Sequence, residues 1–175
     1  GVELGLFGVV DIQADYFTEY RSNILMDRAQ IPASMGLQAP LRANVGEASS
    51  SGFEVTLDYK DNFSDDLFVS ARANFSFATS KLEVYEELDY RNAGLPWLSR
   101  IGLNLSQPFG YIAERLFIDE ADIANSPVQT FGDYMAGDIK YKDINNAGLI
   151  DINDEVPIGF PTTPEIIYGV GIRSN

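Results

Sequence analysis

Strict alternation between apolar and polar residues recurs along this chain and limits the folds open to it more than any other feature. In the first stretch, residues 2–16, the polar face carries Glu3, Asp11 and Asp15, and Gly8 interrupts the pattern. Because successive side chains of a β-strand point to opposite faces, a period of two predicts strands with one apolar face. Gly8 predicts a tight turn between two of them.

Three further stretches alternate in the same way. The apolar positions of all four stretches are Val2, Leu4, Leu6, Val10, Ile12, Ala14, Tyr16; Phe53, Val55, Leu57, Tyr59; Leu67, Val69, Ala71, Ala73, Phe75, Phe77; and Ile166, Tyr168, Val170, Ile172. The polar residues 61–66 predict a hairpin turn. Both a soluble sandwich and a transmembrane barrel produce this pattern. Short turns on one side of the strands and long connections on the other favour the barrel.

Two long stretches lack the alternation. Residues 21–51 contain Pro32, Pro40 and a Ser49–Ser51 run, which predict a long loop. Residues 79–164 form a second one, with a short strand predicted over 101–106 and a brief helix after the N-cap residue Asp119, ending before Pro127. A connection of that length is expected to fold on itself.

Composition excludes several classes of function. The 175 residues include no cysteine and no histidine, which removes thiol nucleophiles, disulfides, Ser-His-Asp triads and His- or Cys-ligated zinc. A net charge of -14 argues against nucleic acid as a partner. Carboxylates are too abundant to mark a catalytic pair, so an enzyme is not expected. No run of eighteen apolar residues predicts a transmembrane helix, and the opening at Gly1, in mid-pattern, is expected of a piece of a larger chain.

A candidate metal-binding turn lies between residues 143 and 154. Asp143, Asn145, Asp151 and Asp154 occupy positions 1, 3, 9 and 12 of a twelve-residue frame, with Gly148 at the sharp bend of position 6. Ile150 at position 8 is expected to anchor the turn on an apolar floor. Ala147 at position 5 supplies no ligand, so only weak calcium binding is predicted and no cofactor is required. The alternative is a polar turn whose side chains hydrogen-bond their own backbone.

Several short motifs in order resemble the SusC/RagA family of TonB-linked outer-membrane receptors. They are ADYFTEYRSNIL (14–25), IPASMG (31–36), NVGEASSSGFEVTLDY (44–59), FGYIAERLF (109–117) and GDIKYKDIN, GLID and NDEVPIGFPTTPEIIYG within 137–169. In this family the middle of the last block usually reads Asn-Gly-Asp-Gly, where this chain has Asn146, Ala147 and Gly148. The resemblance covers nearly the whole chain but a minor part of such a receptor.

The resemblance implies an all-β fold of antiparallel strands from a transmembrane β-barrel, with long extracellular loops and one or two short helices. Residues 1–78 would form barrel strands with the loop at 21–51, residues 79–164 an extracellular module containing the turn 143–154, and residues 165–175 the start of the next strand. It also implies import of glycans or other large nutrients across the outer membrane. The implied partners are a SusD-like surface lipoprotein, the nutrient, membrane lipid and TonB, the last through regions outside these residues.

Aromatic residues suggest two further roles. Tyr16, Phe17, Tyr20 and Tyr59 are expected near strand ends, where an interfacial girdle would place them. Trp97, Tyr111, Phe131 and Tyr134 could stack on sugar rings, or could simply pack within the long connection. A different class of function stays open beside the receptor: a secreted β-sandwich that binds carbohydrate or protein.

Overall fold

A computed structural model describes residues 1–29, 31, 35–36, 41–64 and 67–174, and its largest element is an antiparallel sheet. Within those residues, eleven strands are numbered in chain order, and five of them form this sheet. They are β1 (Val2–Leu6), β2 (Val10–Asp27), β3 (Arg42–Ser64), β4 (Leu67–Val84) and β11 (Ile166–Ser174), hydrogen-bonded in the order β1-β2-β3-β4-β11. The predicted all-β antiparallel fold is confirmed.

Residues 85–165, here named the loop segment, connect β4 to β11 and contain six short strands. These are β5 (Phe109–Gly110), β6 (Ala113–Leu116), β7 (Val128–Gln129), β8 (Ile139–Tyr141), β9 (Leu149–Ile150) and β10 (Val156–Pro157). β5 pairs with β10 and β6 with β8, both antiparallel, while β7 and β9 are parallel. The loop segment therefore folds on itself, as its length predicts.

Helical structure in the loop segment is short. Helix α1 (Glu120–Ala124) begins after Asp119, whose side chain accepts the backbone N–H of Asp122, so the predicted N-cap and the end before Pro127 are confirmed. Single 3₁₀ turns lie at Pro96–Leu98 and Ile152–Asp154. Among the described residues, no helix has both the length and the apolar character needed to cross a membrane.

The turn at Gly8 is also confirmed. Phe7 and Gly8 both have positive φ, 56° and 71°, and Val9 N–H donates to the carbonyl of Leu6. Positive φ at two successive central residues is the geometry that matches the twist of two flanking antiparallel strands. Gly8 supplies it at no steric cost, whereas Phe7 adopts a backbone conformation that is uncommon for a residue with a side chain.

The predicted loop over 21–51 is wrong at both ends. β2 continues to Asp27 and β3 begins at Arg42, so only residues 28–41 connect them, and Pro32 and Pro40 lie outside the described residues. The Ser49–Ser51 run pairs with Thr18–Tyr20 on one side and Thr79–Lys81 on the other. Backbone pairing does not require alternation of apolar and polar side chains, so these serines extend the strands.

Two smaller boundaries also differ from prediction. Residues 61–64, expected in a turn, belong to β3, and the rest of that turn, 65–66, lies outside the described residues. The strand expected over 101–106 is a pair of turns. Gly102 takes a φ of 88° there, and its N–H and the carbonyl of Leu103 bond the backbone of Leu82 in β4. These turns attach the loop segment to the end of β4.

The large side chains that are fully buried lie outside the large sheet. Among the described residues, the buried apolar side chains are Ala48, Phe117 and Ile150, and the two large side chains with no exposed surface are Ile150 and Asp154. Ile150 and Asp154 belong to the loop segment. Neither face of the large sheet is covered by a second large sheet, and the small core around Ile150 and Asp154 lies in the loop segment.

Candidate functional site

The register of the large sheet places its apolar residues on one surface, here named the apolar face. Pairing between neighbours aligns them in four rows across the strands: Leu6, Val10, Tyr59, Ala71 and Ile172; Leu4, Ile12, Leu57, Ala73 and Val170; Val2, Ala14, Val55, Phe75 and Tyr168; and Tyr16, Phe53, Phe77 and Ile166. Most of the large ones are exposed, up to 77% for Ile172, and the others, Val10, Ile12, Val55, Tyr59 and Phe77, are half-buried. A continuous exposed apolar surface of this extent marks contact with another apolar phase or partner.

This apolar surface ends in a polar row on one side and in a mixed row on the other. Beyond the Tyr16 row, the next positions on the same face are Thr18, Ser51 and Thr79. Beyond the Tyr59 row comes Asp61, paired with Val69. The span from Val10 to Tyr16 is six residue steps, or about 20 Å along the strand. An apolar belt of roughly that height is typical of strands that cross a bilayer.

Aromatic rings lie at the edge of the apolar face nearest the loop segment. The ring of Phe53 is 5.6 Å from that of Phe75 and 5.8 Å from that of Phe77, centroid to centroid, and Tyr16 lies in the same row as Phe53 and Phe77. Tyr59 belongs to the row nearest the short turns. Phe17 does not fit the predicted girdle, because it points to the opposite face and covers Gly52.

The opposite surface, named the polar face, carries charges. Asp58 accepts two hydrogen bonds from the Arg72 guanidinium, at 2.7 and 2.8 Å, and Ser76 donates to Glu54 across the same pair of strands. Asp11 stands opposite Asp58 and Asp15 opposite Glu54, so carboxylates pair with carboxylates between β2 and β3. Directly opposed like charges are destabilising in a sheet unless water or cations surround them. This face is therefore suited to an aqueous interior.

Within the loop segment, the predicted calcium frame forms a tight turn built on its own hydrogen bonds. The Asp143 carboxylate accepts the backbone N–H groups of Ala147 at 3.1 Å and Gly148 at 2.7 Å, and Asn145 Oδ1 also accepts from Ala147 at 2.9 Å. Gly148 has a φ of 76°, the left-handed conformation that the bend requires. Ile150 is fully buried, so the predicted apolar floor is present.

The other end of the frame is held by Asp154. Its buried carboxylate accepts N–H groups from Ile144 at 2.8 Å, Asn145 at 3.3 Å and Asp151 at 2.9 Å. Asp151 in turn accepts the N–H of Asn153 at 2.8 Å, which completes a capping box with Asp154. Asp154 thus ties the start of the frame to its end.

These contacts match the self-bonded turn that the sequence offered as the alternative to a metal site. No cluster of three or more Asp or Glu side chains that could hold a metal ion occurs in the part of the chain that the structure describes. Asp151 and Asp154 are brought together by the capping box, while Asp143 and Asn145 share the N–H of Ala147. Weak calcium binding by the four residues stays a prediction.

A charged clamp fixes α1 to β6. Two nitrogens of the Arg115 guanidinium donate to the Asp122 carboxylate, Lys140 Nζ lies 3.7 Å from Asp122 Oδ1, and Ile118 N–H donates to Oδ2 at 3.1 Å. The Arg115 hydrogen bonds, followed by the backbone bond from Ile118, hold the pKa of Asp122 well below its usual range. Apart from the presence of opposite charges, no sequence signal predicts this clamp.

The four loop-segment aromatics considered for sugar stacking pack mainly with protein groups. Tyr111 stacks on Phe131 at 5.0 Å and lies 5.5 Å from Tyr141, and Phe117 stacks on Tyr134 at 5.4 Å. Burial, with Glu155, Asp151 and Asp154 nearby, raises the pKa of Tyr111. Trp97 is half-buried and donates its indole N–H to the carbonyl of Asn153 at 2.8 Å. Sugar stacking by any of them stays a prediction.

Comparison with solved structures identifies chains with the same arrangement of strands. A structure described as the RagAB peptide transporter has a TM-score of 0.62 and 18% identity over 96% of this chain and 17% of that chain. A structure of the RagAB peptide importer in the "closed-closed" state has a TM-score of 0.60 and 20% identity over 97% and 18%. This chain matches no protein-family model and no curated protein. The likeness shows the fold.

The chain spans less than a fifth of the length of those two chains. Both belong to assemblies described as transporters. The match extends through the loop segment as well as the sheet, since it covers all but a few per cent of this chain. The present residues thus have the fold of part of a transporter chain.

Proposed function

We propose that this chain is part of a SusC/RagA-like, TonB-dependent outer-membrane receptor that imports glycans or other large nutrients. The observation that carries the proposal is the apolar face, four aligned rows on five strands whose large side chains are mostly exposed, with a polar row at the end nearest the loop segment. Lipid acyl chains are the natural partner of such a belt, and the carboxylate-rich polar face would line a water-filled interior. The order of family motifs and the transporter-like fold support the same proposal.

The loop segment would then stand on the extracellular side, at the end of the sheet opposite the Gly8 turn. It would contact a SusD-like lipoprotein and form part of the rim through which the nutrient passes. TonB would act through other regions of the receptor. In this proposal the chain performs no catalysis, because its role is to form part of the barrel wall and of the extracellular rim.

The β-sandwich alternative requires a second sheet over the apolar face. Within the described residues, the other sheets are the three strand pairs of the loop segment, and on the central strand β3 of the face Phe53 and Leu57 are 41% and 38% exposed. No observation favours the sandwich over the receptor.

Cysteine labelling of the full-length protein in outer membranes tests the proposal, because this chain has no native cysteine. Val170→Cys and Leu57→Cys on the apolar face should resist a water-soluble maleimide and react with a membrane-partitioning one. Thr56→Cys and Asn74→Cys, one residue away on the polar face, should show the reverse. Equal reaction of both sets with the water-soluble reagent, or absence of the protein from outer membranes, would refute the lipid-facing assignment.

A further inference from the structure

A small cavity lies where the loop segment meets the ends of β2 and β4. Its volume is about 330 Å³, and most of its lining is apolar, including Met26, Leu82, Leu103, Leu105 and Phe109. Leu82 has the same parity in β4 as Ser76 and Asn74, which places it on the polar face. The cavity therefore opens on the side of the sheet that the proposed function assigns to the interior, beside the rim.

One cationic group, Arg100, stands in this apolar lining. Its guanidinium lies over the ring of Phe109, 4.4 Å from the centroid, so the ring face holds it by a cation–π contact. The planar fork of N–H groups on an arginine guanidinium matches the two oxygens of a carboxylate. The backbone N–H of Arg100 is bonded separately to the Glu87 carboxylate at 2.9 Å.

The other side-chain amide in the lining, Asn104, is occupied by protein groups. Its Nδ2 donates to Glu165, and its Oδ1 accepts the N–H and hydroxyl of Ser106. Asn104 therefore shapes the wall. An incoming polar group would meet Arg100 instead, at the edge of the apolar lining. Such a combination recognises an apolar group that carries a negative charge close to it.

Size restricts the ligand further. A volume of 330 Å³ is at the lower limit of ordinary ligand pockets, roughly 300–1,000 Å³. It accommodates one apolar side chain and its carboxylate, whereas a sugar ring needs several hydrogen-bonding groups beside a flat apolar face. We propose that this cavity binds the C-terminal residue of a peptide, with an apolar side chain against Leu82 and Leu105 and the terminal carboxylate on Arg100.

This inference rests on the proposed function, because transport would bring peptide to the polar face. Its test is calorimetric binding to the purified full-length protein of a pentapeptide ending in leucine, as the free acid and as the C-terminal amide. The acid should bind about tenfold more tightly, the difference of one charge-assisted contact. Arg100→Gln should abolish the difference, whereas Arg91→Gln, an exposed arginine outside the cavity, should preserve it.

A second variant separates the apolar part from the charged part. Leu105→Trp keeps an apolar side chain at a half-exposed position but fills the cavity, so it should weaken both peptides at least about tenfold. Equal affinity of acid and amide for the unmodified protein, an acid preference that survives Arg100→Gln, or no binding of either peptide would overturn the inference. The maleimide labelling pattern is independent of these titrations, so the proposed function could stand while this site fails.

Discussion

The ring of Phe17 lies directly over Gly52, its partner on the neighbouring strand of the large sheet. A Cβ built on Gly52 would stand 2.6 Å from Phe17 Cζ and 2.3 Å from the carbonyl oxygen of Phe77. Both distances are far inside ordinary contact, and the carbonyl belongs to a paired backbone that cannot move away. An aromatic ring that covers a cross-strand glycine is a recognised means of filling the gap left in the sheet.

Gly52→Ala should therefore lower the free energy of unfolding by about 1–3 kcal/mol, the usual effect of overpacking. Gly171→Ala is the matched control, because it lies on the same face of the same sheet and an added Cβ meets nothing within 4 Å. It should change stability by less than about 1 kcal/mol. Urea unfolding of the full-length protein in lipid vesicles measures both. Equal effects of the two substitutions would contradict the packing described here.

Leu57 and Thr56 are neighbours in β3 that face opposite environments. If the apolar face meets lipid, Leu57→Lys places a charge near the middle of the hydrocarbon layer and should cost about 2–4 kcal/mol. Thr56→Lys places the same charge on the polar face, where water and the neighbouring carboxylates stabilise it. The free energy of unfolding should fall by less than about 1 kcal/mol. Vesicle-based unfolding also measures this pair. A small, equal effect for both lysines would indicate that water reaches the two faces alike.

The strands could be predicted from sequence because the apolar side of each is set by a period of two. That signal located Gly8, the faces of Leu57 and Ala73, and the return of a strand at Ile166. It failed where the strands run past the apolar belt, at 21–27 and 42–51, because the residues there pair through their backbones without alternating apolar and polar side chains. Periodicity reports the environment of side chains, and so it ended where the apolar environment ends.

The loop segment was predictable in its local chemistry and not in its long-range contacts. Asp119 as an N-cap and Gly148 as a bend depend on neighbours a few residues away, so their residue types suffice. Phe17 over Gly52 and Arg100 over Phe109 depend on strand register and chain reversal. Composition carries no information on either, which is why the sequence assigned Phe17 to an interfacial girdle.

The Arg115–Asp122 clamp predicts a pH dependence within the loop segment. Because the folded pKa of Asp122 lies below its unfolded value of about 4, the clamp stabilises fully above that value and loses its effect as the pH falls below it. The protection factor of the Ile118 amide, the ratio of its intrinsic to its observed exchange rate, should therefore fall as the pH drops below about 4, because this amide donates to Asp122.

Substitution of the clamp separates it from general acid effects. Asp122→Asn should raise Ile118 exchange at neutral pH and remove the extra acid dependence, because the neutral amide no longer pairs with Arg115. Asp133→Asn removes an exposed carboxylate of the same segment and should leave both unchanged. If Asp122→Asn retained the acid-dependent step, another group would have to be responsible for it.

Asp154 provides the last prediction, on the turn that resembles a calcium loop. Its buried carboxylate accepts three backbone N–H groups, so Asp154→Ala leaves three donors without that acceptor and should destabilise the turn by at least about 2 kcal/mol. Faster amide exchange at Ile144, Asn145 and Asp151 measures this loss. Asp133→Ala is the control, since it deletes an exposed carboxylate from the same segment.

Calcium distinguishes hydrogen bonding from metal binding in this turn. If the turn is stable through its own bonds, a chelator should leave exchange at Ile144 and Asp151 unchanged, and only calcium at about millimolar concentration should slow it, because Ala147 supplies no ligand. If calorimetry showed submicromolar calcium affinity that Asp143→Ala abolished, the main role of these carboxylates would be to bind a cation. A chelator that accelerated exchange at the same amides as Asp154→Ala would also show that a bound cation holds the turn. Removal of the ion would then open a turn that the hydrogen bonds alone are expected to keep closed.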